Sequence, residues 1–90
     1  MNRVAFWTDT LKRMRDIIQS YKPFTECGHE DQWQMVMIDL VVAERHLADL
    51  AQAPDADAVD IAEWRLNERV NTLDRRMQAL FDATQSATRH

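Results

Sequence analysis

Residues 27–31 read Cys-Gly-His-Glu-Asp and place a thiol, an imidazole and two carboxylates within five positions. Such side chains can hold a zinc ion or pair a nucleophilic thiolate with a histidine base. The zinc-protease pattern His-Glu-x-x-His would need a second histidine where Trp33 stands, and the chain has a single cysteine. The segment therefore predicts a polar turn that leads into a helix N-terminus, where carboxylates suit the helix dipole, and no metal site.

Two other histidine patterns bear on chemistry. Glu26-x-x-His29 matches the Glu-x-x-His element of di-iron bundles, which need such a pair on each of two helices, and only one pair is present. His46 precedes Leu-Ala-Asp. Histidine phosphotransfer domains resemble this chain in being small and helical, but they place a lysine and a small residue just after the histidine. We expect neither chemistry, and we interpret His46 as a partly exposed residue on a helix flank.

Basic residues form two rows that could contact phosphate or nucleic acid: Arg65, Arg69 and Arg76, and Lys12, Arg13 and Arg15. Acidic residues interleave with both rows, which is typical of a solvated face or of ion pairs at a bundle edge. The net charge is −4, and residues 23–57 alone carry −7 against +3 for residues 1–22. This acidity disfavours nucleic acid as a partner, so a nucleic-acid-associated regulator is the weaker alternative.

An enzyme is a further alternative. The all-helical chorismate mutases are similar in architecture, being small intertwined helical dimers with arginines and a glutamate around a buried site. The arginine, lysine and glutamate spacing of that site has no match here, and one glycine cannot make a Gly-rich phosphate loop. We therefore expect no enzymatic activity and no cofactor.

Apolar residues recur at intervals of three and four in three segments, which predicts three helices in a single domain over residues 1–90. Pro23 is expected to end the first helix, and Asp55 and Asp57 are N-cap candidates for the third. The predicted spans are about 3–21, 29–52 and 56–84, with a frayed tail at 85–90. Short links make neighbouring helices antiparallel, so the expected fold is all-α, an up-down-up bundle or helical hairpin with a long third helix.

More apolar side chains are present than the inward stripes of three helices account for. At about 100° per residue, nine point away from these stripes and face solvent unless something covers them. They are Phe6, Ile17 and Phe24 in or after the first helix, Met35, Ile38, Val41 and Val42 in the second, and Ile61 and Trp64 in the third, beside Arg65 and Glu68. Contiguous exposed apolar patches usually mark binding sites, so we expect an oligomer or a complex.

These surfaces predict a non-catalytic helical module that binds another protein and regulates or inhibits it. Met35, Ile38, Val41 and Val42 are expected to serve a homodimer, and Ile61, Trp64 and Arg65 a foreign partner. In general character such small acidic helical proteins resemble phage-encoded or mobile-element inhibitors, secretion chaperones and anti-activators. The resemblance is one of composition and carries no correspondence between residues.

The expected location is the cytoplasm. The opening residues lack the apolar stretch of a secretory signal, and one cysteine cannot form an internal disulfide. The most apolar run, nine residues from Met35 to Ala43, is interrupted by Asp39 and is far shorter than the roughly 20 residues of a membrane span. We therefore expect no membrane association.

Overall fold

The computed structural model describes the backbone of residues 2–25 and 28–88, and the side chains of residues 2–20 and 28–84. All the regular structure of these residues is helical, which confirms the all-α fold class. The helices are α1 (Arg3–Thr25), α2 (Glu30–Ala51) and α3 (Ala56–Thr88). Two residues of the sequence-predicted motifs, Glu26 and Cys27, lie outside the described residues, as does the Phe24 side chain.

Two predicted helix ends are wrong. α1 continues through Pro23 to Thr25, because a proline removes one backbone hydrogen bond but lets the residues after it keep helical dihedral angles. α3 continues to Thr88, four residues beyond its predicted end, so residues 85–88 belong to the helix. At about 1.5 Å per residue α3 is about 50 Å long, close to the 53 Å long axis of the molecule.

The helix starts follow from local chemistry. Gly28 has a φ of 106°, a conformation that residues with a Cβ rarely adopt, and it lies two residues before Glu30, the first residue of α2. Glu30 and Asp31 occupy the first turn of α2, as the polar-turn prediction requires. The Asp55 Oδ1 accepts a hydrogen bond from the Ala58 backbone N–H at 2.8 Å, which confirms Asp55 as the N-cap of α3.

One hydrophobic core joins the three helices, and α2 contacts both of its neighbours extensively while α1 contacts α3 much less. The core lies along the predicted inward stripes. Its buried members are Leu11 and Ile18 of α1, Val36, Leu40, Ala43 and Leu50 of α2, and Ala62, Leu66, Leu73, Met77 and Leu80 of α3. Over the described residues, no helix is apolar for long enough to cross a membrane.

Polar contacts show how α1 lies against its two neighbours. Arg15 pairs with Glu44, and the Trp33 indole N–H donates to the backbone oxygen of Ile18 at 3.3 Å. Later residues of α1 therefore meet earlier residues of α2, so the two helices run antiparallel. The Trp7 indole N–H reaches Glu63 Oε2 at 3.4 Å and joins the beginning of α1 to α3.

Candidate functional site

Seven large apolar side chains in the described part of the chain are exposed, by 43% to 65% of their surface. All seven belong to the set that helix geometry turns away from the inward stripes. They are Phe6, Ile17, Met35, Ile38, Val41, Ile61 and Trp64. Val42 differs from the expected orientation, because it is partly buried. Exposure makes these residues available to a partner, and their role in an interface remains a prediction.

Three aromatic residues lie together between α1 and α3 in a hollow of about 640 Å³, here called the aromatic groove. Trp64 of α3 is 65% exposed, and Phe6 of α1 is 51% exposed. The ring of Phe6 packs edge-on against Trp7, with centroids 5.3 Å apart. The sequence placed Phe6 and Trp64 on separate facets, whereas the fold puts them on the walls of one groove. Its other lining residues are Arg3, Asp60, Glu63 and Asn67.

The rim of the aromatic groove has an excess of negative charge. Arg3 Nη1 lies 3.8 Å from both Asp60 Oδ1 and Glu63 Oε1, so one guanidinium faces two carboxylates. The Asp60 side chain is 76% exposed, and Arg3 and Glu63 are 58% and 32% exposed. These pairs are weak because water screens them, which leaves Asp60 available to a cation from outside.

The predicted contact group of Ile61, Trp64 and Arg65, with Glu68 beside it, borders two hollows that share Arg65. Trp64, Arg65 and Glu68 border a hollow of about 310 Å³ on the side of α3 that faces His46. Ile61 instead borders a hollow of about 500 Å³ near the C-terminal end of α2, and Arg65 reaches this one as well. Trp64 thus borders both the aromatic groove and the hollow on the His46 side of α3.

A second apolar surface lies on α2. Met35, Ile38 and Val41 are exposed by 45%, 55% and 56%, and we name these three residues the α2 outer face. Asp31 and Arg45 are exposed on the same helix, on either side of these residues in sequence. Neither charge makes an ion pair or hydrogen bond within the described residues.

The most buried charge was missed by the sequence analysis. Asp39 of α2 is 1% exposed, and its two oxygens accept from Arg69 Nη1 at 3.1 Å and Arg76 Nη1 at 2.7 Å. These two arginines were interpreted as part of a row on one helix edge, whereas they bridge α3 to α2. A signal was present: Asp39 interrupts the most apolar run of the chain, in phase with the core residues Val36 and Ala43.

His46 is a flank residue, as expected, with a side chain that is 22% exposed and an Nδ1 atom 4.0 Å from Asp49 Oδ2. The Nδ1 atom is buried and makes no hydrogen bond within the described residues. Among those residues no three His, Cys, Asp or Glu side chains are grouped closely enough to hold a metal ion, and Cys27 lies outside them.

No protein-family model matches this chain, and no curated protein and no solved structure is significantly similar to it. Its function is therefore inferred from its own residues.

Proposed function

We propose that this chain is a small non-catalytic protein-interaction module of the cytoplasm, built as an up-down-up three-helix bundle. It binds an apolar, basic segment of another protein in the aromatic groove and so regulates or inhibits that protein. In this it would act like the accessory inhibitors that phages and mobile elements carry.

The exposure of Trp64 beside Phe6 carries this proposal. Burying a large apolar side chain contributes about 1.5–3 kcal/mol, so a domain that leaves both rings in water forgoes a large stabilisation. Tryptophan is among the residues most often found at energetic hot spots of interfaces, especially in pockets that a partner can fill. The groove supplies such a pocket, with Trp64 on one wall and Phe6 on the other.

The charges around the groove favour a basic partner. Asp60 and Glu63 outnumber Arg3 on its rim, and the tryptophan face attracts a guanidinium or ammonium group. The acidic segment at residues 23–57 would also attract such a partner over a longer range, in a salt-dependent way. A helix with two or three apolar side chains and a flanking lysine or arginine fits this surface best.

Nucleic acid is less well supported than a protein partner. Arg69 and Arg76, two members of the arginine row that favoured it, are engaged with the buried Asp39. Cations held in this way neutralise a carboxylate of their own chain and have less charge to offer a phosphate backbone.

A phage-displayed peptide library tests the proposed groove. Selection against the unaltered protein should enrich peptides with apolar residues at helical spacing and at least one basic residue. Synthetic versions of these peptides should then bind the Phe6→Ala/Trp64→Ala variant at least about tenfold more weakly, as expected when two anchors of a hot spot are removed. Titration calorimetry measures the affinity.

Ile17→Ala is the matched control, because it removes an exposed apolar side chain from α1 that does not line the groove. It should leave the peptide affinity within about twofold of that of the unaltered protein, as expected for a residue outside the contact. The proposal is wrong if the selected peptides bind the double variant and the unaltered protein equally, or if they carry no basic residue.

A further inference from the structure

We propose that the α2 outer face binds a second copy of this chain, with the two α2 helices antiparallel and Ile38 on the two-fold axis. The aromatic groove is formed by α1 and α3, so this dimer is independent of the function proposed above. Its apolar contacts come from Met35, Ile38 and Val41, which are 45%, 55% and 56% exposed in the single chain.

The spacing of the charges on α2 sets the register. Asp31, Ile38 and Arg45 are each seven positions apart, so they lie nearly along one line of the helix, drifting by about 20° per interval. All three are exposed. If two α2 helices pack antiparallel with their Ile38 residues in contact, Asp31 of one copy lies opposite Arg45 of the other. The two-fold symmetry produces the same ion pair at the other end of the contact.

The same charges select against other arrangements. In a parallel pair Asp31 would face Asp31 and Arg45 would face Arg45, so like charges would oppose each other at both ends. A slip of one helical turn would bring each charge opposite a residue other than its complement. The charges on this row of α2 are thus complementary to the same row on an antiparallel copy. An isologous interface requires this, because both copies contribute the same surface.

The apolar pairing agrees with this register. With Ile38 on the axis, Met35 of one copy and Val41 of the other lie at the same height along the helices, so exposed apolar side chains flank the central isoleucines on both sides. Asp31 and Arg45 are about 21 Å apart along the helix and bracket this apolar patch with ion pairs at its rim.

Light scattering and sedimentation equilibrium on the unaltered protein, from micromolar to millimolar concentration, should give twice the chain mass of 10.6 kDa. Ile38→Glu should give a monomer, because it places two carboxylates together at the axis. Since Ile38 is 55% exposed in the single chain, the circular dichroism of this variant should remain helical. A monomeric unaltered protein, a larger oligomer, or an unaffected Ile38→Glu dimer would each overturn the proposal.

Charge reversal tests the register. Asp31→Arg and Arg45→Asp should each raise the dimer dissociation constant at least about fivefold, because each turns two ion pairs per dimer into like-charge contacts. The double reversal should restore the original constant, and a mixture of the two single variants should form a heterodimer. Asp74→Arg, an exposed reversal on α3 with the same change in net charge as Asp31→Arg, is the control for that variant. If the single reversals act no more strongly than this control, or the double reversal fails to restore the dimer, the antiparallel register is wrong.

Discussion

Ile38 and Asp39 are adjacent in sequence, yet the apolar residue is exposed and the charged residue is buried. The isoleucine is 55% exposed, whereas the aspartate is 1% exposed and held by two arginines of α3. Folding alone does not favour either arrangement, since burial of apolar surface stabilises a domain and burial of a charge costs free energy. The two residues, about 100° apart around the helix, therefore point to different roles for the outer and inner sides of α2.

The inner side gives the contact between α2 and α3 a specific register. Asp39 lies between Arg69 and Arg76, which are seven positions apart on α3, so a shift of one helix along the other would break both hydrogen bonds. Buried polar groups can specify register in this way at some cost in stability, and we advance that role here as a hypothesis. The outer side leaves Met35, Ile38 and Val41 exposed in the described part of the chain.

Removing Arg69 and Arg76, the two partners of Asp39, should cause the largest loss of stability. The variant Arg69→Met/Arg76→Met leaves the Asp39 carboxylate buried without a partner, and we expect the free energy of unfolding to fall by about 3–5 kcal/mol. Urea denaturation followed by circular dichroism, at one fixed protein concentration, measures this loss.

The triple variant that adds Asp39→Leu is the control for the inner side. Replacing a buried ion cluster by apolar residues is often neutral, so the triple variant should recover most of the stability that the double variant loses. A double variant within about 1 kcal/mol of the unaltered protein would show that Asp39 can reach water, contrary to its burial.

Leu66 and Trp64 sharpen the contrast between buried and exposed apolar residues on α3. Leu66 is fully buried, so Leu66→Ala should lower the free energy of unfolding by about 2–5 kcal/mol. Trp64 is 65% exposed, and Trp64→Ala should change it by less than about 0.5 kcal/mol. Urea denaturation of both variants gives the comparison, and a large loss for Trp64→Ala would make it a structural residue.

The helices and the core were predictable from the sequence because both follow from local periodicity. Leu40, Leu66 and Leu73 stand on the predicted stripes and are fully buried. The helix ends were less predictable, because Pro23 carries a strong local bias that the backbone of α1 overrides. Periodicity also identified the exposed apolar residues. It wrongly included Val42, which is partly buried, because the angle of a residue from the inward stripe does not reveal how far a neighbouring helix covers it.

Contacts between helices were not predictable in the same way. The angle of a residue on its own helix says nothing of where two helices approach, so the meeting of Phe6 with Trp64 around one groove was missed. Asp39 could have been found, because a carboxylate in phase with core residues needs a buried cation, and Arg69 and Arg76 have the spacing to supply two. A single sequence gives the residue types for this cluster, and the packing of α2 on α3 gives the geometry.

The smallest expected effect concerns the ion pair on the opposite flank of α2. Arg15 of α1 pairs with Glu44, but their side chains are 35% and 39% exposed, so water screens the attraction that burial leaves strong at Asp39. A double-mutant cycle with Arg15→Ala and Glu44→Ala should give a coupling free energy below about 1 kcal/mol, and about 1 M salt should reduce it further.

The same salt should leave the loss of stability caused by Arg69→Met/Arg76→Met nearly unchanged, because ions do not reach a carboxylate that is 1% exposed. Equal salt sensitivity at both sites would mean that the two flanks of α2 do not differ in electrostatic environment, and the register role of Asp39 would lose its physical basis.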